Sequence, residues 1–148
     1  MKGLVCLLLP VCLLIQPVQA QQSEMFERYE LHYSVVNTTF LAPKVASSYG
    51  IVRGTDRAIL NLAVREHLED GSTVARKMAL KGRTWDLLQK TQELAFQEVR
   101  EGPAIYSIAE FKFLSEEWRH FEVHFRPEGA TSTFTFTLKH QMYEDLEG

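Results

Sequence analysis

The sequence predicts an all-β fold, an antiparallel β-sandwich with one short helix, from three observations. Apolar side chains recur at every second position in several segments. Turn residues separate those segments at intervals of roughly 8–12 residues. All the aromatics (nine Phe, five Tyr, two Trp) lie beyond residue 20, where a single core without covalent staples would use them.

The first clear strand sets Tyr29, Leu31, Tyr33 and Val35 against Glu30, His32 and Ser34. A slip of one residue would turn that whole apolar set to solvent, so the register is well specified. Pro43 to Tyr49, with Gly50 just beyond, predicts the short helix, because proline suits a first turn and glycine follows a last one. Gly54-Thr55-Asp56 then leads into a strand over 57–67 carrying Ala58, Leu60, Leu62 and Val64. Glu69-Asp70-Gly71-Ser72 joins it, hairpin fashion, to a strand over 73–83 with Val74, Met78 and Leu80. Gly82, near the end of that strand, predicts a bulge or a close backbone approach.

Residues 85–93 fit a helical turn or a strand equally well. Strands over 94–100 and 104–113 follow, punctuated by Gly102-Pro103. Phe121, Val123 and Phe125 alternate with His120, Glu122, His124 and Arg126. After Pro127-Glu128-Gly129, Phe134, Phe136 and Leu138 alternate with three threonines. No linker, repeat or low-complexity run divides residues 21–148, which read as one domain.

Residues 1–20 read as a cleaved signal peptide. Met1-Lys2 is a short positive region, Gly3 to Ile15 is apolar apart from Pro10, and Val18-Gln19-Ala20 fits the small-x-small cleavage rule before Gln21. The apolar run falls short of the roughly 20 residues that a membrane-spanning helix needs. Neither Cys6 nor Cys12 follows a small residue as a lipoprotein acceptor would, since each is preceded by valine. The expected compartment is the periplasm, without a membrane anchor. Cleavage removes both cysteines and one lysine, taking the formal net charge from -3 to -4. That balance excludes a thiol enzyme, a disulfide-stapled miniprotein and a strongly basic nucleic-acid binder.

A more specific signature runs from Tyr33 to Asn61: Asn37-Thr38-Thr39-Phe40-Leu41, then Pro43, Ala46, Tyr49-Gly50-Ile51, Arg53 and Asn61. It resembles a family of small secreted proteins of Gram-negative bacteria, the domain of unknown function DUF4426. Leu94-x-Phe96, Ala104-Ile105-Tyr106 and Phe121-x-Val123 are compatible with it, so the resemblance covers most of the exported chain. Ser107 departs from it, standing where a second tyrosine is expected. The resemblance implies a periplasmic, immunoglobulin-like domain and implies no activity.

Two constellations invite a functional reading. Asn37, Thr39, Tyr49, Arg53 and Asn61 could build a ligand site. The plainer reading makes them structural, with short polar side chains ending a strand, Phe40 and Leu41 plugging the sandwich end beneath the helix, and Arg53 pairing with Asp56. His120, Glu122 and His124 share one strand face and could bind zinc or copper, with His32 or His140 adding a ligand from a neighbouring strand. The plainer reading there is a solvated outer face.

The chain contains no nucleophile elbow, HExxH, P-loop or dinucleotide fingerprint. Arg76, Lys77, Lys81 and Arg83 are expected to face Glu66, Glu69 and Asp70 across a hairpin. Taken together, the sequence favours a cofactor-free, non-catalytic binding module that meets an envelope protein through an edge strand. The alternative is a metal-binding or hydrolytic periplasmic protein using the His120, Glu122 and His124 face.

Overall fold

Alternation becomes pairing wherever one strand's apolar set can face another's across a core, and the two sheets of this protein assemble on that rule. The computed structural model describes residues 22–146, so the expected leader lies outside the described residues. In chain order come β1 (Gln22–Phe26), β2 (Tyr29–Asn37), a 3-10 turn (Thr38–Phe40), α1 (Pro43–Ser48), β3 (Arg57–His67), β4 (Thr73–Arg76) and β5 (Met78–Trp85). Then follow β6 (Thr91–Leu94), β7 (Gln97–Glu101), β8 (Ala104–Lys112), β9 (Trp118–Pro127) and β10 (Phe134–Gln141).

One sheet runs β1-β2-β3-β8-β7, the other β10-β9-β5-β6, and all the pairings are antiparallel. One edge of β3 is shared, with β8 taking Arg57–Leu62 and β4 taking Val64–His67. The core lies between the sheets. Leu31, Leu60, Leu62 and Val64 of the first meet Phe121, Val123, Phe125 and Phe136 of the second, all fully buried. Aromatic contacts lock the layers at three points: Phe26 on Phe125, Tyr33 on Phe136, and Phe111 on Phe121. The expected antiparallel sandwich with one short helix is therefore the observed fold.

Two expected strands are each split. The segment over 73–83 breaks at Lys77, where the chain leaves β4 in the first sheet and enters β5 in the second. The segment over 94–100 breaks at Ala95-Phe96 between β6 and β7, which again belong to different sheets. Residues 85–93 are neither a helix nor one strand: Trp85 ends β5, a turn spans 86–90, and β6 begins at Thr91. β1, a polar edge strand, was not expected. The close approach at Gly82 is present: a Cβ there would lie 3.0 Å from Val123 and 3.2 Å from the Glu122 carbonyl oxygen.

The helix covers the outer face of the first sheet, not the end of the sandwich. Ala46, Ile51 and Ile59 form a second small core there, joined by Val36, Leu41, Tyr49 and Ile108. Leu41 thus packs under the helix, while Phe40 remains 72 % exposed and plugs nothing. The expected charge ladder is mostly absent because β5 lies in the other sheet. Arg76 alone of that basic run meets Glu66, at 2.7 Å, whereas Lys77 turns to Glu128 and Arg83 to Glu122.

At the mouth of the core sits a charged pair. Arg119, 5 % exposed, donates from Nε to Thr84 Oγ1 (3.1 Å) and from Nη1 to Glu117 Oε1 (3.0 Å), with its guanidinium beside the Phe111 ring. Burying a charge this deeply is tolerated only when its donors are met.

Candidate functional site

The five residues of the first constellation do not converge. Asn37 Nδ2 donates to the Tyr143 carbonyl oxygen at 2.7 Å, tying the end of β2 to the segment after β10. Arg53 donates to the Thr39 carbonyl oxygen at 2.9 Å; no Asp56 pairing is found. Tyr49 caps the C-terminal end of the helix, donating to Glu101 Oε1 at 3.1 Å while its carbonyl accepts from Gln97. Asn61 sits mid-sheet on β3, opposite Ser34 and Ile108. Thr39 Oγ1 and Asn61 Oδ1 are buried without a hydrogen-bond partner. The strand-ending role falls chiefly to fully buried Thr38, whose Oγ1 reaches the Gly54 and Arg57 carbonyls and accepts from Gly54 N–H.

His120, Glu122 and His124 do share the outer face of β9, but each is otherwise engaged. His120 stacks on Trp85, with centroids 5.4 Å apart and planes 9° from parallel. Glu122 pairs with Arg83 at 3.3 Å and with His124 at 3.4 Å, and His124 Nδ1 lies 3.0 Å from Thr135 Oγ1. Neither further histidine joins them. His32 belongs to the other sheet, and His140 pairs in register with Arg119 on the core side of β10. Among the described residues, no three His, Cys, Asp or Glu side chains are gathered to hold an ion.

A histidine–carboxylate group unforeseen in the sequence lies on the outer face of β1-β2-β3. Glu30 accepts from Ser23 Oγ at 2.8 Å and lies 2.7 Å from His67 Nε2 and 3.8 Å from His32 Nε2. The His67 contact, with the Ser23 hydrogen bond, holds the Glu30 carboxyl below its ordinary pKa. Glu30-x-His32 was visible as a pair, but His67 is 35 residues from His32 in sequence and needs the β2–β3 register to arrive.

The best-formed concavity is a groove of about 400 Å³ at the seam between the sheets. β1 pairs with β2 only as far as Tyr33, so on that side Ser34–Asn37 have no neighbouring strand among the described residues. Val35, Val36 and Asn37 form one bank, and His140, Gln141, Met142 and Tyr143 the other, with Phe40 at the end. Burial lowers the His140 pKa below its ordinary value, so this lining is uncharged near neutrality. Of the ligand constellation, only Asn37 lines the groove.

Comparison with known proteins gives the family but no chemistry. The chain is similar to a DUF4426 family protein of Pseudomonas aeruginosa PAO1: 30% identity, TM-score 0.74, covering 86% of this chain and 98% of that one. It also resembles a copper-bound variant of FetP from uropathogenic Escherichia coli strain F11, at 11% identity and TM-score 0.60, over 87% and 94% of the two chains. FetP of the same strain, as isolated after expression in the periplasm of E. coli, gives 11% identity and TM-score 0.58, over 84% and 94%. The FetP likeness shows the fold alone. No curated protein matches in sequence, and no helix among the described residues is long and apolar enough to cross a membrane. The model of the Domain of unknown function (DUF4426) matches residues 23–145, and the chain belongs to that family.

Proposed function

We propose that this chain is an exported, non-catalytic binding module that takes an extended segment of an envelope protein along the open half of β2. The observation that carries this reading is the coincidence of a strand edge, Ser34–Asn37, that has no neighbouring strand on that side among the described residues, with the mixed polar and apolar groove beside it. Strand addition draws its affinity from main-chain hydrogen bonds and its specificity from pockets that receive alternate side chains. A segment lying in line with β1 would place every second side chain between Val35 and Met142, with Phe40 and Tyr143 as walls. The uncharged lining favours an apolar or neutral segment. Export rests on the expected leader, and FetP, of similar fold, was expressed in a periplasm. Copper-bound FetP invites a metal reading, which no grouping of ligands among the described residues supports.

The test is photo-crosslinking in the native periplasm, with Phe40 replaced by a benzoyl-phenylalanine. A discrete protein adduct is expected from that position and none from a control at Leu68. Tyr143→Ala should reduce the yield severalfold. An equal adduct from both positions, or none from Phe40, contradicts the reading.

A further inference from the structure

Large exposed apolar side chains crowd one end of the sandwich. Leu87 and Leu88 sit on the β5–β6 turn, Leu114 on the β8–β9 connection, Trp118 at the start of β9, and Leu146 beyond β10, from 38 % exposed at Trp118 to 90 % at Leu88. Among the turns at the opposite end, the only comparable side chain among the described residues is Leu68. Counted at their exposed fractions, the five present on the order of 600 Å². That is the upper range for a monomer's largest patch and approaches the ~800 Å² per partner of a stable interface.

The leucines are fixed in place. Asp86 Oδ1 accepts from Leu88 N–H and Lys90 N–H, both at 2.9 Å, and Gln89 adopts φ 64° to complete the turn. Glu116 N–H donates to the Met142 carbonyl at 2.7 Å, pinning the β8–β9 connection to the segment after β10.

Apart from Lys139, whose Nζ lies over the Trp118 ring, and Asp86, which caps the β5–β6 turn, charge is divided across this crown. Lys90 and Lys112 lie on the β6–β8 flank, where Lys112 N–H donates to Gln92 Oε1. Glu116 and Glu144 lie on the β10 flank, where Glu144 N–H donates to Ser115 Oγ. Their four charged groups enter no ion pair among the described residues. A two-fold rotation about the centre of the crown lays each cationic flank over the other copy's acidic flank, with the leucines and Trp118 enclosed between them. Such self-complementarity is what an isologous interface requires. An anionic lipid surface would meet the acidic flank unfavourably.

We propose that two copies of this chain pair end to end through this crown. The pairing goes beyond the groove reading, and neither Leu88 nor Lys90 lines the groove, so each can fail without the other. Sedimentation equilibrium of the purified chain at micromolar concentration should give twice the monomer mass. Leu88→Glu, at an exposed position, should raise the dimer Kd at least tenfold with unchanged circular dichroism. Lys90→Glu and Glu144→Lys should each weaken the dimer severalfold, and together recover most of the loss. A monomer throughout, a dimer indifferent to Leu88→Glu, no recovery in the double variant, or vesicle binding as a monomer would each overturn the proposal.

Discussion

Phe125→Ala is expected to lower the unfolding free energy by about 3–5 kcal/mol, the range for emptying a fully buried aromatic site. The ring is completely buried on β9, edge-on to Phe26 with centroids 5.0 Å apart, and 5.5 Å from Phe134 on β10. Its removal therefore opens a cavity at the junction of both sheets and loosens the edge strand β1 together with the core. Domains of this size have roughly 5–15 kcal/mol in total, and the described residues include no cysteine to supply a disulfide. Urea denaturation monitored by tryptophan fluorescence checks it. A loss below about 1 kcal/mol would mean that the core closes over the gap.

The second large effect concerns the charged pair at the mouth of the core. Glu117→Ala is expected to cost about 3–5 kcal/mol, because it leaves the Arg119 guanidinium buried with its main anionic partner gone. The side chains are only 6 % and 14 % exposed, so water screens them little. Thr84 would still accept one hydrogen bond from Arg119, which keeps the loss from being larger. The double variant Arg119→Met, Glu117→Leu should recover most of that loss, since well-packed apolar replacements of a buried pair are often neutral or better. Denaturation midpoints of the three proteins decide it; equal losses in the single and double variants would contradict the argument.

The strands with both an apolar face and a polar face were legible in the sequence. Tyr29 to Val35, Ala58 to Val64 and Phe121 to Phe125 obey period two because one side meets the core and the other meets water or the helix. β1 escaped because Gln22 to Met25 are all exposed and leave only Phe26 as an inward anchor. The crossing at Lys77 was invisible for a different reason. Val74 of β4, like Met78 and Leu80 of β5, falls on an even position, so the apolar parity is the same on both sides of Arg76-Lys77 although the chain changes sheets. At Ala95-Phe96 the parity does shift, from Leu94 to Val99, and that shift was a readable signal of a break. Residues 85–93 stayed undecided between helix and strand because their Leu87-Leu88 pair is exposed on an Asp86-stabilised turn and obeys neither period.

Sites were less legible than strands because they depend on register between distant segments. The face shared by His120, Glu122 and His124 follows from local alternation and is present. What each side chain does there was decided by Trp85, Arg83 and Thr135, which arrive from neighbouring strands. The seam groove needs β2 and β10 brought together, a condition no local pattern states. Asn37 marked one bank of it; Met142 and Tyr143 carried no signal of the other.

Backbone amide hydrogen exchange along β2 tests the proposed docking edge most directly. Amides of Tyr29–Tyr33, flanked by β1 and β3, should exchange slowly throughout. Within Ser34–Asn37 of the isolated chain, the amides aimed away from β3 should exchange near loop rates, and should slow when the crosslinked partner's segment is added as a peptide. Full protection of Ser34–Asn37 in the isolated chain, or no slowing with the peptide, would contradict strand addition at β2.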